Sequence, residues 1–112
     1  MARPAASEGA FRAVADPTRR AILDALASGS RSVSELCALF SVTQSAVSQH
    51  LKVLRETGLV HPVREGRMVV YHLDPKPLRA VYDWAAQYER FWNKKLDALG
   101  ALLDREAKKG RL

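Results

Sequence analysis

The chain has 112 residues, 47% hydrophobic and 27% charged, enough for one compact core with no room for a second domain. No apolar run approaches the ~20 residues needed to span a bilayer, and the N-terminal MARPAASEGAFRAVADP has no apolar core of signal-peptide length. The one cysteine excludes an intrachain disulfide framework, so the expectation is a cytoplasmic protein with no membrane role. A formal charge of +6 favours a polyanionic partner, although part of the excess lies in the final EAKKGRL, where a frayed tail needs no function.

Residues 1–7 are small, polar and interrupted by proline, and read as a loose N-terminus. A short helix over residues 8–14 is expected to bury Phe11 and Val14 at i, i+3 spacing. Asp16-Pro17 opens a second helix, with Asp16 as cap and Pro17 at the first helical position. Ile22, Leu23 and Leu26 supply its buried stripe, and Ser28-Gly29-Ser30 ends it. Arg19 and Arg20 lie in the first turn, the unfavourable end for the helix dipole. Either solvent or a phosphate is their expected partner.

Ser32-Val33-Ser34-Glu35 is a capping box, in which a hydroxyl serves the free N–H groups and a carboxylate reaches back. Val33, Leu36, Cys37 and Phe40 form the stripe of the helix it starts. After a tight turn a further helix begins, capped by Thr43 or Ser41. At about 100° per residue, Val47, Leu51 and Leu54 fall on one line and Ser45, Ser48, Gln49 and Lys52 on the opposite side. That outer face holds hydroxyls, an amide and one cation, with no acid until Glu56. Such a face suits the DNA major groove, where amides and hydroxyls bond to base edges and a lysine neutralises phosphate. Residues 32–57 therefore make a helix-turn-helix, with DNA contacts expected from Thr43, Gln44, Ser45, Ser48, Gln49 and Lys52. Gly58 is the expected stop.

Residues 59–73, LVHPVREGRMVVYHL, alternate β-branched and aromatic residues around Arg64-Glu65-Gly66-Arg67 and predict a hairpin. Pro62 confines the first strand to an edge or a bulge. A hairpin with a basic tip placed directly after a recognition helix is a wing, and Arg64 and Arg67 would reach the backbone or a neighbouring minor groove. Asp74-Pro75-Lys76-Pro77 interrupts the chain, after which residues 78–106 carry one long helical pattern. Trp84, Tyr88, Phe91, Trp92, Leu96 and Leu99 recur at spacings of three and four. A stripe this rich in aromatics points to a subunit interface, to which Phe11 of the first helix is added. The fold class expected is mainly α with a small β-hairpin, a winged helix-turn-helix paired as a homodimer through its N- and C-terminal helices.

The strings ADPTRRAILDALA, SVSELC…SVTQSAVSQHLKVLRETGLV and REGRMVVYHL together resemble the ArsR/SmtB family of bacterial winged-helix repressors, over nearly the whole of residues 13–73. The resemblance implies a homodimer on a palindromic double-stranded operator that represses transcription, released in many members by an inducer, which this sequence does not name. Arsenic-responsive members carry ELCVCDL where this chain has Glu35-Leu36-Cys37-Ala38-Leu39-Phe40. A lone thiolate cannot make a three-sulfur site, and Cys37 reads as a core residue. Zinc-responsive members use Asp and His early in the last helix and further ligands along it; Asp74 is in the right region, but no histidine follows His72. Members whose last helix resembles Tyr88-Glu89-Arg90-Phe91-Trp92 generally lack metal ligands, so neither metal nor cofactor is expected.

His50 lies about 60° from the centre of the buried stripe and reads as a half-buried packing residue. His61 and His72 share a sheet face in a hairpin turning about Glu65-Gly66 and not in one turning about Gly66 alone. No nucleophile–base pair, glycine-rich phosphate loop or paired carboxylates stand out, so no enzyme is expected. Two alternatives stay open: a metal- or redox-responsive repressor sensing through Cys37 or the wing histidines, and a winged helix serving protein interaction with no DNA role.

Overall fold

Short polar side chains start the helices that build the fold. The computed structural model describes residues 6–108, in the order α1 (Ala6–Val14), α2 (Pro17–Ser28), β1 (Arg31–Ser32), α3 (Val33–Phe40), α4 (Gln44–Glu56), β2 (Val60–Glu65), β3 (Met68–Leu73), one 3₁₀ turn (Lys76–Leu78), α5 (Arg79–Ala86) and α6 (Glu89–Lys108). The expected loose N-terminus lies mostly outside these residues. The Asp16 carboxylate accepts the Arg19 N–H at 2.9 Å, ahead of Pro17 at the first position of α2. At α3, Ser32 Oγ accepts the Glu35 N–H at 3.2 Å, and the Glu35 carboxylate accepts the Ser32 N–H at 2.9 Å. These N–H groups are the main reason both carboxyls are held below their ordinary pKa. Thr43 caps α4 by accepting the Ala46 N–H at 3.1 Å. Ser41, the alternative cap, instead takes a left-handed backbone (φ 53°) that closes α3, its N–H donating to the Cys37 carbonyl at 2.9 Å.

The end of α4 is a Schellman motif. Gly58 at φ +78° donates to the Arg55 carbonyl at 3.0 Å and Leu59 to the Leu54 carbonyl at 2.9 Å. Leu54 and Leu59, which flank this reversal, are both fully buried.

The described residues fall into two compact units divided after Val81. In the first, Ile22, Leu23 and Leu26 of α2, Leu36 of α3, Val47, Leu51 and Leu54 of α4, and Leu59 and Val60 form the core. From α1, however, it is Ala10 and Ala13 that are buried, while Phe11 and Val14 are half-buried. Small residues let the α1 backbone approach closely: a Cβ on Gly9 would lie 3.3 Å from Thr57 Cγ2 at the end of α4. The larger side chains are left at the rim.

Arg19 and Arg20 also find acceptors within the chain that the sequence did not indicate. Arg19 donates from Nε to the Ala13 carbonyl and from Nη2 to the Arg12 carbonyl, both at 2.9 Å, and Arg20 Nη1 donates to the Val14 carbonyl at 2.6 Å. The pair stands at the wrong end of α2 but at the right end of α1, whose last-turn carbonyls and negative dipole terminus they cap.

The hairpin belongs to a three-stranded antiparallel sheet ordered β1-β3-β2, with the two-residue β1 pairing Arg31 to Tyr71 and Ser32 to Val70. Pro62 lies on the edge strand β2, as expected. The turn is Gly66-Arg67, closed by the Glu65–Met68 pair, so neither anticipated register is the one adopted. Gly66 at φ +65° opens a two-residue primed turn of the kind that matches strand twist. In this register His61 stands directly opposite His72, and the two do share a face.

The second unit, from Tyr82 onward, holds the end of α5 and all of α6. The single helix expected over residues 78–106 is broken at Gln87-Tyr88. The Gln87 side-chain amide donates to the Trp84 carbonyl at 2.9 Å, the acceptor that the Tyr88 N–H would use in an unbroken helix. Tyr88 donates instead to Ala85 at 3.0 Å, and Phe91 to Tyr88 at 2.9 Å. Among the described residues no helix is long and apolar enough to cross a membrane.

Candidate nucleic-acid interface

Burial of Val47, Leu51 and Leu54 fixes which way α4 faces. Gln44, Ser45, Ser48, Gln49 and Lys52 are all exposed on its other side. Thr43 is exposed too, but its hydroxyl is committed to the helix cap. Two contacts join α4 to the segments behind it: the ion pair of Arg12 with Glu56 at 3.7 Å, and the approach of His50 Nδ1 to Asp16 Oδ2 at 3.9 Å. His50 is half-buried, as expected, and it faces the α2 cap, where it adds to the lowering of the Asp16 pKa behind the Arg19 N–H.

The arginines divide into two sets. Three of the body are spent on internal acceptors: Arg19 and Arg20 on α1 carbonyls, and Arg31 on the Ala25 carbonyl (3.3 Å) and Ser28 Oγ (3.2 Å). Arg64, near the end of β2, and Arg67, in the turn, are exposed, and their side chains bond no other described residue. The side chains of Gln44, Ser45, Ser48, Gln49 and Lys52 are likewise without a described partner. Uncommitted donors on one helix face and at a hairpin tip can turn toward a nucleic acid without giving up an internal bond.

Two features were not anticipated from the sequence. Arg55, in the last turn of α4, is exposed; its basic side chain within the helical repeat was a signal that could have included it. Arg67 also lines a notch of about 260 Å³ with Ser32, Val33 and Ser34 at the start of α3. The capping box marks that helix start in the sequence, but only the hairpin register brings Arg67 beside it.

The wing histidines each have a carboxylate of their own. His61 Nε2 lies 3.5 Å from Asp74 Oδ2. His72 Nε2 lies 3.2 Å from Glu65 Oε2, with its Nδ1 2.6 Å from Ser30 Oγ. Among the described residues no three His, Cys, Asp or Glu side chains converge as a metal site would require. Cys37 is half-buried and packs against the core.

The stripe residues of the last two helices are exposed in the single chain: Trp84 54%, Tyr88 41%, Phe91 52%, Trp92 49%, Leu96 61% and Leu99 50%. Tyr82, Leu102 and Leu103 are exposed as well, and Phe11 is half-buried. Trp84 and Tyr88 meet edge to face at 5.6 Å, and the Arg90 guanidinium lies 4.8 Å over the Phe91 ring.

Known proteins share this arrangement. Residues 16–61 match the bacterial regulatory protein, arsR family, model. The HTH-type transcriptional regulator Rv2034 of Mycobacterium tuberculosis is 43% identical over 97 residues, which cover 87% of this chain and 88% of that protein. The transcriptional repressor SdpR of Bacillus subtilis is 30% identical over 78 residues, 70% of this chain and 87% of that one. Among solved structures, the homodimeric winged helix-turn-helix DNA-binding domain Mb0332 from Mycobacterium bovis matches with a TM-score of 0.63 at 28% identity, over 75% of this chain and 81% of that one. The chain, a winged helix-turn-helix by its geometry, belongs to the ArsR family of bacterial regulatory proteins.

Proposed function

We propose that the protein is a homodimeric, cytoplasmic transcriptional repressor and not an enzyme, binding a palindromic operator in double-stranded DNA through α4 and the wing. The observation that carries the reading is the outer face of α4. Five polar side chains stand there exposed and uncommitted, no acid interrupts them before Glu56, and two equally uncommitted arginines stand on the hairpin that follows. Gln44, Ser45, Ser48 and Gln49, in the first two turns, are the base readers, since the N-terminal part of a recognition helix approaches the base edges. Lys52, Arg64 and Arg67 neutralise phosphate, and Thr43 fixes the start of the helix that presents the readers. The exposed stripe of Trp84, Tyr88, Phe91, Trp92, Leu96 and Leu99, with Phe11, pairs two copies.

A two-fold dimer presents two recognition helices and requires an inverted repeat. Selection from a random pool of duplexes tests this. The expected product is a palindrome with half-site centres about one or more helical turns apart. Enrichment of a single unrepeated site, or none, would contradict the reading. A winged helix serving only protein interaction predicts no salt-dependent affinity for duplex DNA at all.

A further inference from the structure

The wing carries one acid, and the fold turns it away from the arginines beside it. Glu65 is the sole acidic residue of residues 59–73 and stands between Arg64 and Arg67 in the chain. It is paired with Met68 next to the turn, whereas His72 is paired with His61 at the far end of the hairpin. Met68 and His72 are thus about 13 Å apart along β3 at the usual strand rise. Glu65 Oε2 nevertheless lies 3.2 Å from His72 Nε2, so the two side chains lean toward each other along the sheet, past the Val63–Val70 pair. The other ring nitrogen, Nδ1, lies 2.6 Å from Ser30 Oγ in the loop before β1. An ionised carboxylate only accepts, so in the neutral ring Nε2 carries the proton and donates to Glu65, while Nδ1 accepts from the Ser30 hydroxyl. His61 is engaged separately, 3.5 Å from Asp74.

We propose that His72, oriented by Ser30, is a positioning residue that draws the Glu65 carboxylate back from the wing tip and keeps it from cancelling the countercharge of Arg64 and Arg67. This rests on the wing's proposed contact with DNA and names what sets the strength of that contact. A released carboxylate at position 65 has two other places to go, and both weaken binding. It can pair with Arg64 or Arg67 and withdraw that cation from the phosphates, or it can face the phosphates and repel them. Held at His72 it does neither, and the side chains of both arginines bond no other described residue. A contact that only stiffened the hairpin would be lost by removing either partner. A positioning contact matters only while the acid is present, and that difference can be measured.

The test is titration of the full chain with a scrambled duplex across a range of salt, where countercharge alone is read. His72→Phe and His72→Thr both keep a strand-forming residue and remove both ring nitrogens, and circular dichroism checks that they are folded. Each is expected to weaken binding about fivefold at about 0.1 M salt and to lower the salt slope by roughly 0.9, the worth of one phosphate contact. Glu65→Gln in the wild-type background is expected to stay within about twofold, because the acid is already withdrawn. Added to either His72 variant, Glu65→Gln should return affinity and slope to within about twofold of wild type. His72→Gln, whose amide can donate to Glu65 and accept from Ser30, should also stay there. His72 variants that bind like wild type would overturn the proposal. So would a loss that Glu65→Gln does not recover, or a several-fold gain from Glu65→Gln alone. A wild type with no salt-dependent affinity for duplex DNA would instead overturn the DNA-binding reading itself, and this role of His72 with it.

Discussion

Helices α4 and α6 are both amphipathic, and they commit opposite faces. In α4, Val47, Leu51 and Leu54 are 0–1% exposed and the polar face is left open. In α6, Phe91, Trp92, Leu96 and Leu99 are 49–61% exposed, and it is the apolar face that stays uncovered. Burial of each large apolar side chain contributes about 1.5–3 kcal/mol, so α4 is held in place by its own chain and can offer its polar face to a partner without losing its seat. The free energy still to be gained in α6 lies in covering that apolar stripe. One amphipathic pattern thus leaves a polar face open in the first unit and an apolar face open in the second.

The largest effect that would sharpen this comparison is expected at Trp92. Trp92→Glu places a charge where the α6 stripe meets its partner, and losing a buried Trp alone costs about 3–5 kcal/mol. Sedimentation should find monomer or aggregate, and an unchanged dimer would show that Trp92 lies outside the interface. On the other side of the comparison, Leu51→Ala hollows the core beneath α4. A loss of about 2–5 kcal/mol is expected in urea unfolding, and a loss below about 1 kcal/mol would mean that α4 is not anchored by its apolar stripe.

A smaller, pH-dependent effect is expected at the α3 cap. The Ser32 N–H, followed by the Ser32 hydroxyl, lowers the Glu35 pKa from its ordinary 4.5. A carboxyl with a depressed folded pKa adds stability that is fully present above its unfolded value and is lost as pH falls through the folded one. The stability gap between wild type and Glu35→Ala should therefore hold near pH 7 and narrow below about pH 4.5. A gap independent of pH would contradict the ionised capping box. The smallest effect is expected at Cys37. Cys37→Ala should leave DNA affinity and any induction unchanged, with a modest loss of stability. Loss of a response to metal or oxidant in this variant would instead give Cys37 a sensing role.

The features legible in the sequence were those set within a turn or two of the chain. The capping box at Ser32 and Glu35, the Asp16 cap, the stop at Gly58 and the orientation of α4 all follow from local hydrogen bonding and helical period. What could not be read depends on contacts between distant segments or on single backbone bonds. The partners of Arg19 and Arg20 are carbonyls of another helix, and β1 is too short to show a pattern. The hairpin register turned on one residue, and the break before α6 on one side-chain amide. The candidate site divides in the same way. The faces of Gln49 and Lys52 follow from period, whereas the placing of Arg67 beside the start of α3 needed the sheet.

The central claim is that α4 reads bases while the wing supplies countercharge. Binding titrations of Gln49→Ala and Arg67→Ala on operator and scrambled duplex, across a range of salt, test it most directly. Gln49→Ala should lose about 1–3 kcal/mol on operator, the worth of a bidentate amide–adenine contact, and almost nothing on scrambled DNA. Arg67→Ala should weaken both and reduce the salt slope by roughly 0.9. Equal losses on the two duplexes for Gln49→Ala, or an unchanged slope for Arg67→Ala, would contradict that division of labour.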